Sequence, residues 1–198
     1  PEPAPGACGN YQQKLLNAWA TTDTDEVSAR DKADGRSRQR FKVVGSFIEN
    51  PINVAALCRC SEVFLAESLV IPSKKVLTRP DFLGTSVSSE HWVPMEEVPP
   101  ADLPQWLQQH KDEGWRLVGV EQTANSLKLQ DFCFGDQPTV LVMGAEKEGI
   151  PVDVLQLLDD CIEIPQLGVI RSLNVHVSAA IVMYEYTRQM CLRADGAG

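Results

Sequence analysis

The chain has 198 residues, 43% of them apolar, enough for one sizeable core but cramped for two when about 150 residues per domain is the guide. Eighteen basic residues stand against 27 acidic ones, a formal charge of −9, which excludes a domain that holds nucleic acid by bulk charge alone but leaves room for a local basic face. The longest mainly apolar run, Val177 to Tyr184, falls far short of the ~18 to 20 residues of a membrane span, and the N-terminus lacks the basic and apolar regions of a signal peptide, so no membrane partner is expected.

Residues 1–40 divide into a Pro/Gly-rich lead, a short amphipathic piece from Tyr11 to Trp19, and a polar stretch with Arg30, Lys32, Arg36, Arg38 and Arg40. They read as an N-terminal arm or linker. The start at Pro1 and the Ala-Asp-Gly-Ala-Gly end read as a processed chain or a piece of a longer one. From Phe41 the composition turns β-branched and aromatic, which predicts a strand over Phe41–Ile48. After Pro51, Asn53 can cap a helix running to about Leu65, with Val54, Leu57, Cys58 and Phe64 inward. Ser68–Ile71 reads as a short buried strand, Phe82 marks a short helix, and Leu103–Glu113 a helix stopped at Gly114. Strands at Arg116–Val120, Thr139–Met143 and Cys161–Ile164 alternate with helices at Val152–Leu158 and Ser172–Met190. The alternation predicts an α/β fold with a mostly parallel sheet.

Six cysteines, none in a C-x-x-C spacing, are too sparse for a disulfide scaffold. They fit a reducing compartment, hence an intracellular location, cytoplasmic or nuclear. Cys58 and Cys60 lie two apart on a helix, where side chains do not share a face, and read as small apolar packing rather than metal ligands. His91, His110 and His176 are too scattered to suggest a metal cluster, and no metal is expected.

Open α/β sheets bind ligands beyond the carboxyl ends of their strands, so the loops leaving those strands carry the information. Gly144-Ala-Glu-Lys-Glu-Gly149-Ile-Pro151 leaves a strand and enters a helix. Its glycines permit close approach of backbone to a ligand, and Glu146 places a carboxylate at the mouth. It matches neither the dinucleotide nor the phosphate-loop glycine pattern, and a plain connection is an equal reading. Ile164-Pro-Gln-Leu-Gly-Val-Ile-Arg-Ser172-Leu-Asn174 takes an irregular path before Ser172 caps the long helix. Asn174, a mediocre helix former, suggests a use for its amide. Arg59 follows Asn53 by six residues among apolar and small neighbours, an uncommon setting for a solvated charge, although a helix arginine reaching water is the plainer reading.

Together Asn53…Arg59, Gly144-x-Glu146-x-x-Gly149 and Ile164-Pro165…Gly168…Ser172-Leu173-Asn174 resemble, in order and spacing, the three motifs of the SpoU family of RNA 2′-O-ribose methyltransferases in the SPOUT superfamily. The resemblance covers about residues 41–191, leaving 192–198 as a flexible tail. It implies an α/β fold with a mostly parallel sheet, helices on both faces and a C-terminal deep trefoil knot. It implies S-adenosyl-L-methionine as cofactor, S-adenosyl-L-homocysteine as product, and cofactor contacts near Glu121, Gly144, Ile164 and Leu173, largely through backbone. The implied activity is methyl transfer to a ribose 2′-hydroxyl of RNA, of the tRNA guanosine-18 type, with Arg59, Asn53, Glu146, Ser172 and Asn174 as the catalytic set.

Arg59 corresponds to the family's candidate general base. Guanidinium is almost never neutral, so holding a phosphate and stabilising the alkoxide suits it better, with Ser172 or an RNA phosphate relaying the proton. Glu146 and Asn174 are expected to orient Arg59 and the loops, and Asn53 to position substrate or cap its helix. The long final helix has two apolar stripes, Val175, Ala179, Val182, Met183 and Tyr186 on one, Val177, Ile181 and Tyr184 on the other. One meets the core; the other wants a partner, and the resemblance implies a homodimer that brings Arg59 of one chain to the cofactor of its partner. The basic segment Arg30–Lys42 is a candidate RNA-binding patch, with most RNA affinity expected from a missing upstream region. A catalytically silent RNA-binding module that keeps the fold remains the alternative, and a different nucleotide-binding α/β enzyme a third.

Overall fold

A computed structural model describes residues 37–170 and 172–196, with side chains described through residue 190. The amphipathic Tyr11–Trp19 piece and Arg30, Lys32 and Arg36 of the basic segment lie outside the described residues. The elements run β1 (Gln39–Val44), α1 (Pro51–Val63), β2 (Ala66–Ile71), α2 (Pro80–Ser86), β3 (Met95–Glu97), α3 (Leu103–Asp112), β4 (Arg116–Val120), β5 (Leu127–Lys128), β6 (Thr139–Met143), α4 (Val152–Leu155), β7 (Asp160–Glu163) and α5 (Val175–Gly196). The strands form one sheet in the order β3-β2-β1-β6-β4-β7-β5. Every adjacent pair is parallel. All strands therefore end at the same edge.

The central strands are near-continuous apolar runs because both faces of the sheet are covered. On one face Phe41, Val43, Leu69, Val118 and Leu141 pack with Leu57 and Cys58 of α1 and with Ala179, Val182, Met183 and Tyr186 of α5. On the other, Val44, Val70, Leu117, Val140 and Val142 pack with Leu103 and Leu107 of α3 and Val154 of α4. Tyr186 locks α5 to the sheet: its ring centroid lies 4.7 Å from Phe41 and 5.1 Å from Phe134, and its hydroxyl donates to the Arg40 carbonyl at 3.2 Å.

Several element boundaries differ from the sequence reading, and four of them bear on the site or its supports. Strand β1 stops at Val44, because the Gly45 N–H bonds to Val70 O at 2.8 Å and Ile48 N–H turns back onto Gly45 O at 2.9 Å. Helix α1 is capped by Asn50, not Asn53. Pro51 at the first helical position sets the start, and Asn50 Oδ1 accepts the Ile52 N–H at 3.0 Å. Helix α4 ends at Leu155, with Leu157 and Leu158 bonded three residues back in tighter turns. Helix α5 begins at Val175 rather than Ser172.

The described half of the basic segment is largely spent on the fold. Arg38 donates to Ala66 O, Glu62 and Trp92 O. Lys42 is paired with Glu96 at 2.7 Å and lies 5.3 Å from the Trp115 ring centre. Only Arg40 of these three is exposed, so Arg38 and Lys42 do not form the open RNA-binding face expected of them.

Candidate active site

Parallel strands β1, β6, β4 and β7 deliver their carboxyl ends side by side, at the place where the chain leaves the central strand in opposite directions, with β2 and β3 to one side and β4, β7 and β5 to the other. A cavity of about 610 Å³ opens there, lined by Glu121 after β4, by Gly144, Glu146 and Gly149 after β6, and by Ile164 after β7. Ser172, Leu173 and Asn174 close its other side, and Asn53 of α1 reaches its wall. The volume lies within the range of small-molecule sites, roughly 300 to 1,000 Å³.

The β6–α4 loop folds back on itself. Ala145 and Gly149 exchange backbone hydrogen bonds at 2.9 and 3.0 Å, and Gly144 packs so closely that a Cβ there would sit 2.7 Å from the Gly149 carbonyl carbon. Gly149 itself has φ +71°, and a Cβ on it would collide with the Glu121 carboxylate. That carboxylate accepts the Ile150 N–H at 3.0 Å through Oε2 and the Gln122 N–H at 3.1 Å through Oε1. Glu121 thus clamps the loop with its side chain while it lines the cavity, a second duty the sequence did not disclose.

Asn53 is the centre of the polar network. It is only 5% exposed, its Nδ2 donates to Glu146 Oε1, and its Oδ1 accepts from Asn174 Nδ2 at 3.1 Å. Asn174 Oδ1 accepts the His176 N–H at 3.0 Å and its carbonyl accepts Ser178 N–H at 3.0 Å, which makes Asn174 the cap of α5. Ser172 has no capping role and lies exposed on the cavity wall. Glu146 and Asn174, expected to orient Arg59 and the loops, both hold Asn53 within this chain. Arg59 is exposed and is not among the residues lining the cavity.

Several cavity residues, Glu163 among them, and one neighbour escaped the sequence reading. Asn50 lines the cavity through its place one residue before Pro51. Gln166 also lines it, and its Oε1 is buried with no hydrogen-bond partner among the described residues. His176 places Nδ1 3.2 Å from Asn53 Oδ1. Only the position of His176 two residues past Asn174 could have flagged it.

Glu121, Glu146 and Glu163 line the cavity against one basic residue, Lys147, an acidic balance that favours a cationic ligand, and the orphaned Gln166 oxygen offers an acceptor to an N–H donor. Among the described residues no three His, Cys, Asp or Glu side chains are grouped to hold a metal ion.

An all-parallel sheet with an acid-lined, glycine-walled cavity at its carboxyl edge defines an α/β protein built to hold a small ligand. Residues 40–184 match the SpoU rRNA Methylase family, and the chain belongs to that family. It is 45% identical over 185 residues to the Mus musculus protein named tRNA (guanosine(18)-2′-O)-methyltransferase TARBP1, covering 91% of this chain and 12% of that protein. It is 33% identical over 146 residues to a tRNA (guanosine(18)-2′-O)-methyltransferase of Thermus thermophilus, covering 72% of this chain and 71% of that one. Among solved structures it superposes on the Aquifex aeolicus TrmH/SpoU tRNA modifying enzyme with a TM-score of 0.73, 25% identity and 86% of each chain covered. It also superposes on the SpoU methyltransferase AviRb from Streptomyces viridochromogenes in complex with AdoMet, with a TM-score of 0.66, 27% identity, and 79% of this chain and 60% of that one covered.

Proposed function

We propose that the chain is the methyltransferase portion of an S-adenosyl-L-methionine-dependent tRNA 2′-O-ribose methyltransferase acting on guanosine 18. The observation that carries this is the convergence of Asn53, Glu146 and Asn174, from three separate segments, on one acid-lined cavity. The names of the mouse and Thermus relatives supply the substrate class, and the AdoMet complex of AviRb supports the cofactor. Because the chain spans only 12% of the mouse relative's length, RNA affinity is assigned mainly to regions beyond it. The 164–174 run and α5 are read as the knotted segment of the family, supported by the likeness of fold.

When bound, the cofactor supplies an electrophilic methyl group on a sulfonium whose departure leaves a neutral thioether. The chain's own residues do the rest. The carboxylates of Glu121, Glu146 and Glu163 favour the positive charge, Gln166 Oε1 takes an N–H donor, and the Glu121 clamp holds the wall in shape. Asn53, fixed by Glu146 and Asn174, presents an ordered edge to the incoming ribose. Ser172, exposed on the wall, is read as the group that passes the hydroxyl proton outward.

Arg59 reaches this chemistry through a dimer. The stripe Val177, Ile181 and Tyr184 is 37%, 37% and 59% exposed on α5, and Leu173 beside the cavity is 41% exposed. A second copy covering this face brings its exposed Arg59 to the cavity, where guanidinium holds a phosphate and stabilises the developing alkoxide. The test is methylation of unmodified tRNA with a tritiated methyl donor, the site mapped at the ribose, paired with calorimetry of cofactor binding. Arg59→Ala is expected to lose transfer by at least about 100-fold with cofactor affinity unchanged. Unimpaired turnover removes Arg59 from the mechanism, and cofactor binding without transfer to any RNA favours a silent RNA-binding module.

A further inference from the structure

The donors and acceptors around Asn53 determine one another. At one end Glu146 presents a carboxylate oxygen, which accepts, so the Asn53 atom facing it is Nδ2 and Oδ1 faces the other way. At the other end the His176 backbone N–H can only donate, so the Asn174 atom 3.0 Å from it is Oδ1, and Asn174 Nδ2 points back to Asn53 Oδ1 at 3.1 Å. Every contact of Asn53 Oδ1 is then an accepted one. His176 Nδ1, 3.2 Å away, must carry a proton.

We propose that His176 is a positioning residue for methyl transfer: as an Nδ1–H donor it holds the Asn53 amide in the one orientation that serves Glu146 and the cavity. This rests on the reading of the site as a methyltransferase centre. The imidazole sits on the first turn of α5, Asn53 on the first turn of α1 and Glu146 on the β6–α4 loop, so the Asn53 amide ties together three elements at the cavity wall. Asn53 is buried, and a donor withdrawn from its Oδ1 is not freely replaced by water. With Asn174 as the sole remaining donor to Oδ1, the amide keeps only two of the three contacts that resist its rotation.

Two measurements test this. Long-range proton–nitrogen correlation spectra of the chain labelled at histidine nitrogen are expected to show His176 in the Nδ1–H form, and Asn53→Ala to shift it toward the Nε2–H form that unbound imidazole favours. A parent chain already in the Nε2–H form overturns the network. In methyl transfer, His176→Ala is expected to lower kcat about tenfold, the worth of one hydrogen bond, with KM for tRNA and cofactor affinity unchanged. His176→Asn, whose Nδ2 can take the place of Nδ1, is expected to restore much of the loss, and the Asn53→Ala/His176→Ala double variant to be no slower than Asn53→Ala. Additive losses, or equal losses in His176→Asn and His176→Ala at equal melting temperature, overturn the positioning role while leaving the function intact. A parent chain that binds no S-adenosyl-L-methionine sinks the reading of the site, whatever the tautomer.

Discussion

Gly149 shows how one missing side chain shapes the cavity wall. Its φ of +71° already disfavours other residues, and the space a Cβ would need is taken by the carboxylate of Glu121. Gly149→Ala is therefore expected to push Glu121 off the Ile150 N–H and open the loop, weakening cofactor binding about tenfold or more. Glu121→Gln keeps an acceptor for Ile150 and is expected to cost far less, which calorimetric titration with S-adenosyl-L-homocysteine checks. Equal affinities for parent and Gly149→Ala would show that the loop does not depend on the clamp. The sequence showed Glu146 and both glycines on the correct loop, but the pairing of Glu121 with that loop joins two strand ends about thirty residues apart in the chain. No local pattern reports it. At Arg59 the sequence left shelter and a reach to water both open, because a helix face is fixed by packing, and the residue lies exposed.

Helix α5 displays both what periodicity reveals and what it misses. Of the stripe read as core, Ala179, Val182, Met183 and Tyr186 are buried and Val175 is partly buried against them, and the stripe read as needing a partner is exposed. Its start was misplaced because Ser172 and Asn174 are both good caps, and the choice between them was made by Asn53 accepting the Asn174 amide across the fold. Strands β4 and β6 were legible to the residue because both are short apolar runs bounded by turn formers. Strands β3 and β5 were not, being three and two residues at the sheet edges. A charge on the exposed stripe tests its role: Ile181→Glu is expected to yield a monomer in sedimentation, with thermal stability within about 0.5 kcal/mol of the parent as for an exposed substitution. A parent chain that sediments as a monomer at micromolar concentration would sink the dimer.

Across the whole molecule the sulfur chemistry follows burial. Cys58 is enclosed between α1 and the sheet, and burial pushes its thiol up to about 12, against a smaller opposing effect of the Ser89 hydrogen bond. A thiol whose value is raised by folding contributes stability that is complete below its unfolded value near 9.0 and is lost as pH climbs from there toward 12. Denaturant midpoints are expected to fall between pH 9 and 10.5, and Cys58→Ala to flatten that slope; an unchanged slope would assign the alkaline loss elsewhere. Cys60 and Cys161 are raised in the same direction, chiefly by burial, so the flattening is partial. This fits the reading of Cys58 and Cys60 as small packing residues, which needed only their helical spacing.

The sheet order carries a consequence for how the chain is made. Strand β6 lies between β1 and β4, so the middle of the sheet is supplied by a segment that leaves the ribosome about a hundred residues after its first neighbour. Until then β1 has β2 on one side and an unsatisfied row of amides and carbonyls on the other. A nascent chain halted before Thr139 holds one half-sheet, β3-β2-β1, while β4 and β5 still lack the neighbours they pair with, and the pocket comes into being only once the residues from Thr139 onward are made.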